Sequence, residues 1–302
     1  MKHTFYALSF LTLFFVILLS PSKTLYGASQ GLLLWFQILV PTLKPFLILT
    51  NLMIQTNAFS FIVGSFGSIF QKVFHVSANG SFAIISGFLC GYPIGAKVTA
   101  DLVKQKKISL VEGNYLLSFC NNTSPAFISS YIILQQLNDP TLLIPSLIIL
   151  YLSPLLCSFI FRHCYKVEFL KSSKEINHPY FHFQMLDDSI MNAFETITKI
   201  GGYIILFSIL FTFGKQTPLK TFLPLLEITT GIPYILTTQN RFSFYYIYIM
   251  TLTSFGGLCS IAQTNSVIQG SGLSIFLYTI EKLITALVTS LLTFLYVMII
   301  LR

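Results

Sequence analysis

The sequence predicts an all-helical polytopic membrane protein, with about eight to ten transmembrane or re-entrant helices in two related halves. Three observations carry that expectation. Hydrophobic residues fill 54% of the 302 positions and charged residues only 9%, where soluble domains carry roughly 25% charged residues. Mean hydropathy is +0.76. The apolar runs are also interrupted by glycine, proline and asparagine clusters, and broken backbone is tolerated in a membrane only inside protein or along a wet cavity.

Taken in order, residues Phe5 to Leu19 form an apolar run behind Lys2 and His3, ended by Ser20-Pro21. No A-x-A-like cleavage site follows, which predicts an uncleaved first span rather than a signal peptide. The run from Gly31 to Met53 contains Pro41, Lys44 and Pro45. It is expected to span with a kink, Lys44 either reaching an interface or lining a cavity. Residues 59–76 carry Gly64, Gly67, Gln71, Lys72 and His75; this short amphipathic stretch should lie along the interface or enter partway.

The run from Phe82 to Leu102 stops at Cys90-Gly91-Tyr92-Pro93 and resumes at Ile94. Pro93 has no amide proton and Gly91 permits turns, so a continuous helix is not expected there. After a basic loop holding Lys104, Lys106 and Lys107, the run from Tyr115 to Leu134 breaks at Asn121-Asn122-Thr123-Ser124-Pro125. Leu142 to Phe161 then returns to the first face. The following polar stretch carries Arg162, Lys166, Lys171 and Lys174, so the positive-inside rule makes both basic loops cytoplasmic.

That polar stretch divides the chain into an N-terminal membrane half (1–161), a cytoplasmic linker (162–190) and a C-terminal half (191–302). Asn192 to Phe213 should span, with Glu195 and Lys199 forming an i,i+4 ion pair. Thr221 to Leu236 is interrupted by Pro224, Glu227, Gly231 and Pro233. Phe242 to Ala262 breaks at Gly256-Gly257, with Gln263 and Asn265 close behind, and Leu273 to Leu301 is the last span, carrying Glu281 and Lys282. Broken segments are thus expected at 90–95, 121–125, 224–233 and 256–265.

The net charge of +8 sits in short loops without interleaved aromatics, which fits membrane topology and argues against nucleic acid. Cys90, Cys120, Cys157, Cys164 and Cys259 include no C-x-x-C pair and read as small hydrophobes. His178 and His182 are four apart, but Pro179 spoils a helical zinc pair, so no metal site is expected. Neither H-E-x-x-H, G-x-S-x-G nor a nucleotide loop occurs, so no enzyme, no cofactor and no ATP-driven pump is expected.

The halves echo each other. FQILVPTLKPFLIL from Phe36 matches FETITKIGGYIIL from Phe194, and SGFLCGYPIGAK from Ser86 matches SFGGLCSIAQTN from Ser254. Repeated broken segments at corresponding positions point to a transporter's binding site, at the midplane where half-helices meet. The Asn121-Asn122 cluster has no evident second copy. The candidate site therefore comprises Gly91, Tyr92, Pro93, Lys97, Asn121, Asn122, Thr123, Ser124, Glu227, Gln263 and Asn265. Lys97 reads either as the site's cation or as an interfacial lysine paired with Asp101 at i+4. Glu227 reads either as a coupling carboxylate or as the partner of a distant lysine.

Five ordered motifs, ISGFLCGYPIGAK, LLSFCNNTSP, KIGGYIILFSIL, LLEITTG and SFGGLCSIAQ, make the chain from about Trp35 onward resemble the YlbJ-type sporulation integral membrane proteins. Their membrane core is similar to the nucleoside-recognition or gate domain of concentrative nucleoside transporters. The resemblance implies secondary transport of dipicolinate across the outer forespore membrane of sporulating cells. Such a planar aromatic dianion would be held by half-helix N-termini, the Asn121 to Ser124 donors, Tyr92 beside the ring and Lys97. Two other functions stay open: a nucleoside or other small-metabolite carrier of the same fold, for which Lys97 would be dispensable, and a forespore membrane scaffold without flux. Under the carrier reading, Asn121→Ala and Asn122→Ala are expected to abolish transport while leaving membrane insertion largely intact.

Overall fold

The computed structural model describes residues 2–56, 58, 67, 69–166, 181–239 and 241–299. The described residues are helical with short connections, and five helical runs are long and apolar enough to cross a membrane. The chain is a multi-pass helical membrane protein.

Helix α1 (Lys2–Leu19) is followed by α2 (Pro21–Leu34), a π-helical turn (Trp35–Leu39) and α3 (Val40–Gln55). The last three form one continuous run, with the π turn just ahead of Pro41, where an amide donor is missing. This run lies antiparallel on the later helix α8 (Phe183–Gly214). Gly27 abuts the Ile209 backbone and Gly31 the Ile205 backbone. Trp35 Nε1 donates to the Ile197 carbonyl at 2.8 Å, Lys44 lies 3.5 Å over the Phe194 ring, and Gln55 bonds Ser189 at 3.1 Å. Small residues four apart let membrane helices approach backbone to backbone. A Cβ on Gly31 would sit 2.8 Å from the Ile205 Cα. Gly31→Leu should therefore lower the thermal unfolding midpoint, by about 2 kcal/mol of overpacking, as read by differential scanning fluorimetry of the purified protein.

Next comes a helical hairpin, α4 (Ala78–Cys90) and α5 (Ile94–Lys104), whose tip is Gly91-Tyr92-Pro93. Gly91 adopts φ +81°. Gly87 of one arm faces Gly95 of the other, and a Cβ on either would run into the Cys120 carbonyl. That carbonyl ends α6 (Leu110–Cys120), and the chain then crosses Asn121 to Pro125 into a π-helix (Phe127–Leu137). Ser77 caps α4 and Ser109 caps α6. Ser109 and Glu112 have capping-box spacing, yet Glu112 accepts from Ser77 N at 2.6 Å and so ties the two helix starts together.

After a 3₁₀ turn (Pro140–Leu142) the chain returns in α7 (Leu143–Cys164). In the C-terminal half, α8 leads to a second, shorter hairpin made of a 3₁₀ helix (Pro218–Leu225) and α9 (Ile228–Thr238). Its arms touch where a Cβ on Gly231 would sit 2.7 Å from the Pro224 Cα. A second interrupted helix follows, α10 (Phe242–Phe255) and α11 (Gly257–Ile268), bent at Gly256 with φ +84°. Helix α12 (Ile275–Ile299) closes the described chain and runs antiparallel to α7: Tyr165 bonds Glu281 at 2.6 Å, and Cys157 lies beside Thr285.

All four expected breaks are narrower than read: the 90–95 segment breaks only at Gly91-Tyr92-Pro93, and the 121–125 segment only at Asn121 to Ser124, since Pro125 is already helical. The 224–233 segment breaks only at Leu226-Glu227, and Pro233 sits inside α9. The 256–265 segment breaks only at Gly256, which leaves Gln263 and Asn265 on a regular helix. Of the amphipathic stretch 59–76, residues 59–66 and 68 lie outside the described residues; at its end Phe74 stacks on Phe119 at 5.5 Å. Of the linker 162–190, residues 167–180, including His178, Lys171 and Lys174, lie outside them too, and helix claims both of its ends. Glu195 and Lys199 pair at 2.6 Å as their spacing predicts. Cys90, Cys120, Cys157 and Cys259 are buried singly, while Cys164 is exposed.

Candidate functional site

The four interruptions meet. At the first hairpin tip, Tyr92 N donates to the Asn122 carbonyl at 2.6 Å, and a Cβ on Gly91 would sit 2.6 Å from Ser124 N. At the second tip, Cys259 N donates to the Leu226 carbonyl at 2.9 Å. Thr123 Oγ1 bridges the breaks by donating to the Thr253 carbonyl at 2.8 Å. A Cβ on Gly256 would stand 3.7 Å from the Tyr92 ring. Each hairpin tip therefore touches an interrupted helix, and the two interrupted helices touch each other.

Between these tips lies a cavity of about 150 Å³. Tyr92, Thr123, Ser124, Glu227 and Gln263 line it, together with Cys90, Ser130, Tyr131 and Thr229, and α3 closes one wall through Thr42, Leu43 and Phe46. The lining is largely apolar and aromatic, with a few convergent hydroxyl, amide and carboxyl groups, as small-molecule sites usually are. It contains no lysine or arginine.

Glu227 is 4% exposed and is spent on its own helix. Its carboxylate accepts from Thr229 N at 3.0 Å and Thr230 N at 2.8 Å, and from both threonine hydroxyls. Four donors at the start of α9 satisfy the carboxyl group. Tyr131 OH donates to the Thr229 carbonyl and so pins the same turn to the π-helix.

The remaining predicted residues stand outside the cavity lining. Gly91 and Pro93 shape the first tip. Asn121 is fully buried behind the wall and fully bonded: its Oδ1 accepts from Ala96 N at 3.2 Å, and its Nδ2 donates to Thr264 Oγ1 at 3.0 Å and Tyr278 OH at 2.9 Å. Asn122 donates to the Phe119 carbonyl at 2.6 Å and accepts from Lys282 at 3.1 Å. These amides fasten helices together. Asn265 sits on α11, outside the lining.

Lys97 is buried along α5 and pairs with Asp101 at 2.8 Å, the arrangement its i+4 spacing allowed. Lys97→Ala should therefore leave transport within a few fold of wild type while lowering stability by about 3 kcal/mol, because Asp101 loses its partner. Paired uptake and thermal unfolding measurements check this, and a large uptake loss at unchanged stability would contradict it.

Sequence reasoning missed three contributors. Tyr131 and Thr229 carried no signal beyond their nearness to a break. Lys282 did carry one: it is a lysine within a 25-residue apolar helix, next to Glu281.

No family model and no solved structure matches the chain. A curated relative does: the sporulation integral membrane protein YlbJ of Bacillus subtilis (strain 168), 26% identical over an alignment covering 91% of this chain and 78% of the relative. The resemblance carried by the five motifs thus extends over nearly the whole sequence, and the chain is similar to the YlbJ-type sporulation integral membrane proteins.

Proposed function

We propose that this protein is a secondary transporter of a small organic solute, with dipicolinate as its cargo in sporulating cells. The observation that carries the reading is the convergence of two hairpin tips and two helix interruptions on one cavity. Discontinuous helices with their ends aimed at a common point are the architecture of alternating-access carriers.

The two halves also share one element order: a long helix, a hairpin, an interrupted helix and a second long helix. In that alignment the 91–93 tip corresponds to the 226–227 tip, and the Asn121 to Ser124 break corresponds to Gly256. This differs from pairing the two Leu-Cys motifs, and it supplies the second copy that the asparagine break lacked. The first long helices of the halves, α2–α3 and α8, run antiparallel, as do the second ones, α7 and α12. Antiparallel partners are what an inverted repeat requires, and similarity to nucleoside-transporter gate domains belongs to the same proposal.

One observation favours a second reading. A dianion would be expected to meet a basic side chain, and the cavity lining has none. That favours an uncharged cargo such as a nucleoside, bound by Gln263, the hydroxyls and Tyr92. Counterflow in liposomes holding the purified protein separates the readings. Accumulation of labelled dipicolinate against unlabelled dipicolinate, and not against uridine, is expected; uridine exchange alone would move the assignment to nucleosides. Exchange of neither would remove the carrier reading for both cargoes. Placement at the outer forespore membrane rests on the resemblance, and fluorescent tagging in sporulating cells tests it.

A further inference from the structure

The ammonium of Lys282 lies one layer behind the cavity wall, in a helix that contributes nothing to the lining. The residue is 3% exposed. Its Nζ donates to Asn122 Oδ1 at 3.1 Å and to the Ser254 carbonyl at 3.2 Å. Among the described residues no carboxylate pairs with it. Glu281, its neighbour on α12, bonds Tyr165 instead. Of the groups on helices packed against α12, Cys157 of α7 faces the ammonium, and Tyr278, one turn earlier, is bonded to Asn121.

An unpaired charge at this depth is costly and needs a compensating field. The field here comes from helix ends. Helix α6 finishes at Cys120 and α10 at Phe255, so both present the carbonyl ends of their dipoles at the interruption. Ser254 O belongs to the last turn of α10. Asn122 relays the last turn of α6, since its Nδ2 is bonded to the Phe119 carbonyl. In secondary carriers such C-terminal half-helix ends are where a coupling sodium ion or proton binds.

We infer that the Lys282 ammonium is a tethered cation occupying the coupling-cation position between the two interrupted helices, so that the protein works without a bound alkali-metal ion. The inference rests on the transporter reading for its meaning, though not for its test. The charge holds both breaks in register: Asn122 also receives Tyr92 N from the hairpin tip, and the hydroxyl of Ser254 receives Thr289 Oγ1 at 2.8 Å.

Thermal unfolding of the purified full chain in sodium, potassium or choline chloride tests it without any cargo. Wild type should unfold at the same temperature in all three salts. A sodium site filled a hundredfold above its Kd would raise the midpoint by several degrees, and that result would overturn the inference. Lys282→Ala should unfold several degrees lower and be raised again by n-propylammonium but not by n-propanol, since the alcohol refills the vacated volume without restoring the charge. Lys282→Met, which keeps the bulk of the stem, should also be destabilised; wild-type stability in Lys282→Met would likewise overturn the inference. If Lys282→Ala does not fold, the salt series and the Met variant still decide. A sodium-free counterflow assay then separates the two ideas, because absence of exchange in every salt removes the carrier reading and leaves the thermal results standing.

Discussion

Asn121→Ala is expected to lower the thermal unfolding midpoint by about 5–10 °C. The side chain is 0% exposed and satisfies three partners on three elements: Ala96 N in the first turn of α5, Thr264 on α11 and Tyr278 on α12. Alanine leaves a buried amide and two hydroxyls to find other partners. Each orphaned buried group costs about 1–3 kcal/mol; the hydroxyls can rotate toward helix carbonyls, so about 3 kcal/mol is the expected net loss. The first hairpin would lose its tie to the C-terminal half, and transport should fall as a consequence. This departs from the expectation that Asn121 donates to cargo and tolerates removal without harm to the fold. Abolished transport at an unchanged unfolding midpoint would reinstate the donor role.

Much of the architecture was legible because lipid makes irregular backbone costly. Gly91-Tyr92-Pro93, Asn121 to Ser124 and Gly256 each announce an interruption, and each is one. What the residues did not show is which interruptions turn the chain back and which merely bend it. The first is a hairpin because Gly87 and Gly95 allow two arms to close over the Cys120 carbonyl, a tertiary contact with no local periodicity. The boundary errors have similar causes. Pro233 lies inside α9, in the stretch around it read as broken, while Glu227 supplies the cap that starts the helix.

The site was legible by residue type but not by role. Polar groups at the breaks stand out in an apolar chain, yet polarity alone does not say whether an amide meets a solute or another helix. Asn121, Asn122 and Lys97 have partners distant in sequence or within one turn along the same chain segment. The sequence could reveal only the second kind, as with Asp101. Lys282 shows the converse. Its partners, Asn122 and Ser254, come from two other segments, so its significance emerges only when both breaks are brought together.

Glu227 is the residue whose loss should most affect transport. It is the carboxylate of the cavity, and it also starts α9, so its two duties need separate variants. Glu227→Ala removes an acceptor of two amide and two hydroxyl donors, a cap worth about 1–2 kcal/mol, and should lower both stability and transport. Glu227→Gln keeps one carbonyl oxygen for the Thr229 or Thr230 amide and should stay within about 1 kcal/mol of wild type. If the carboxyl group takes part in transport or orients the cargo, transport by Glu227→Gln should still fall at least tenfold, because an amide cannot replace a carboxyl group in that role. Initial rates of counterflow alongside unfolding midpoints for both variants decide between the duties. Wild-type rates in Glu227→Gln would reduce Glu227 to a helix cap, and the polar recognition of the cavity would then rest on Gln263, Thr123, Ser124 and Ser130.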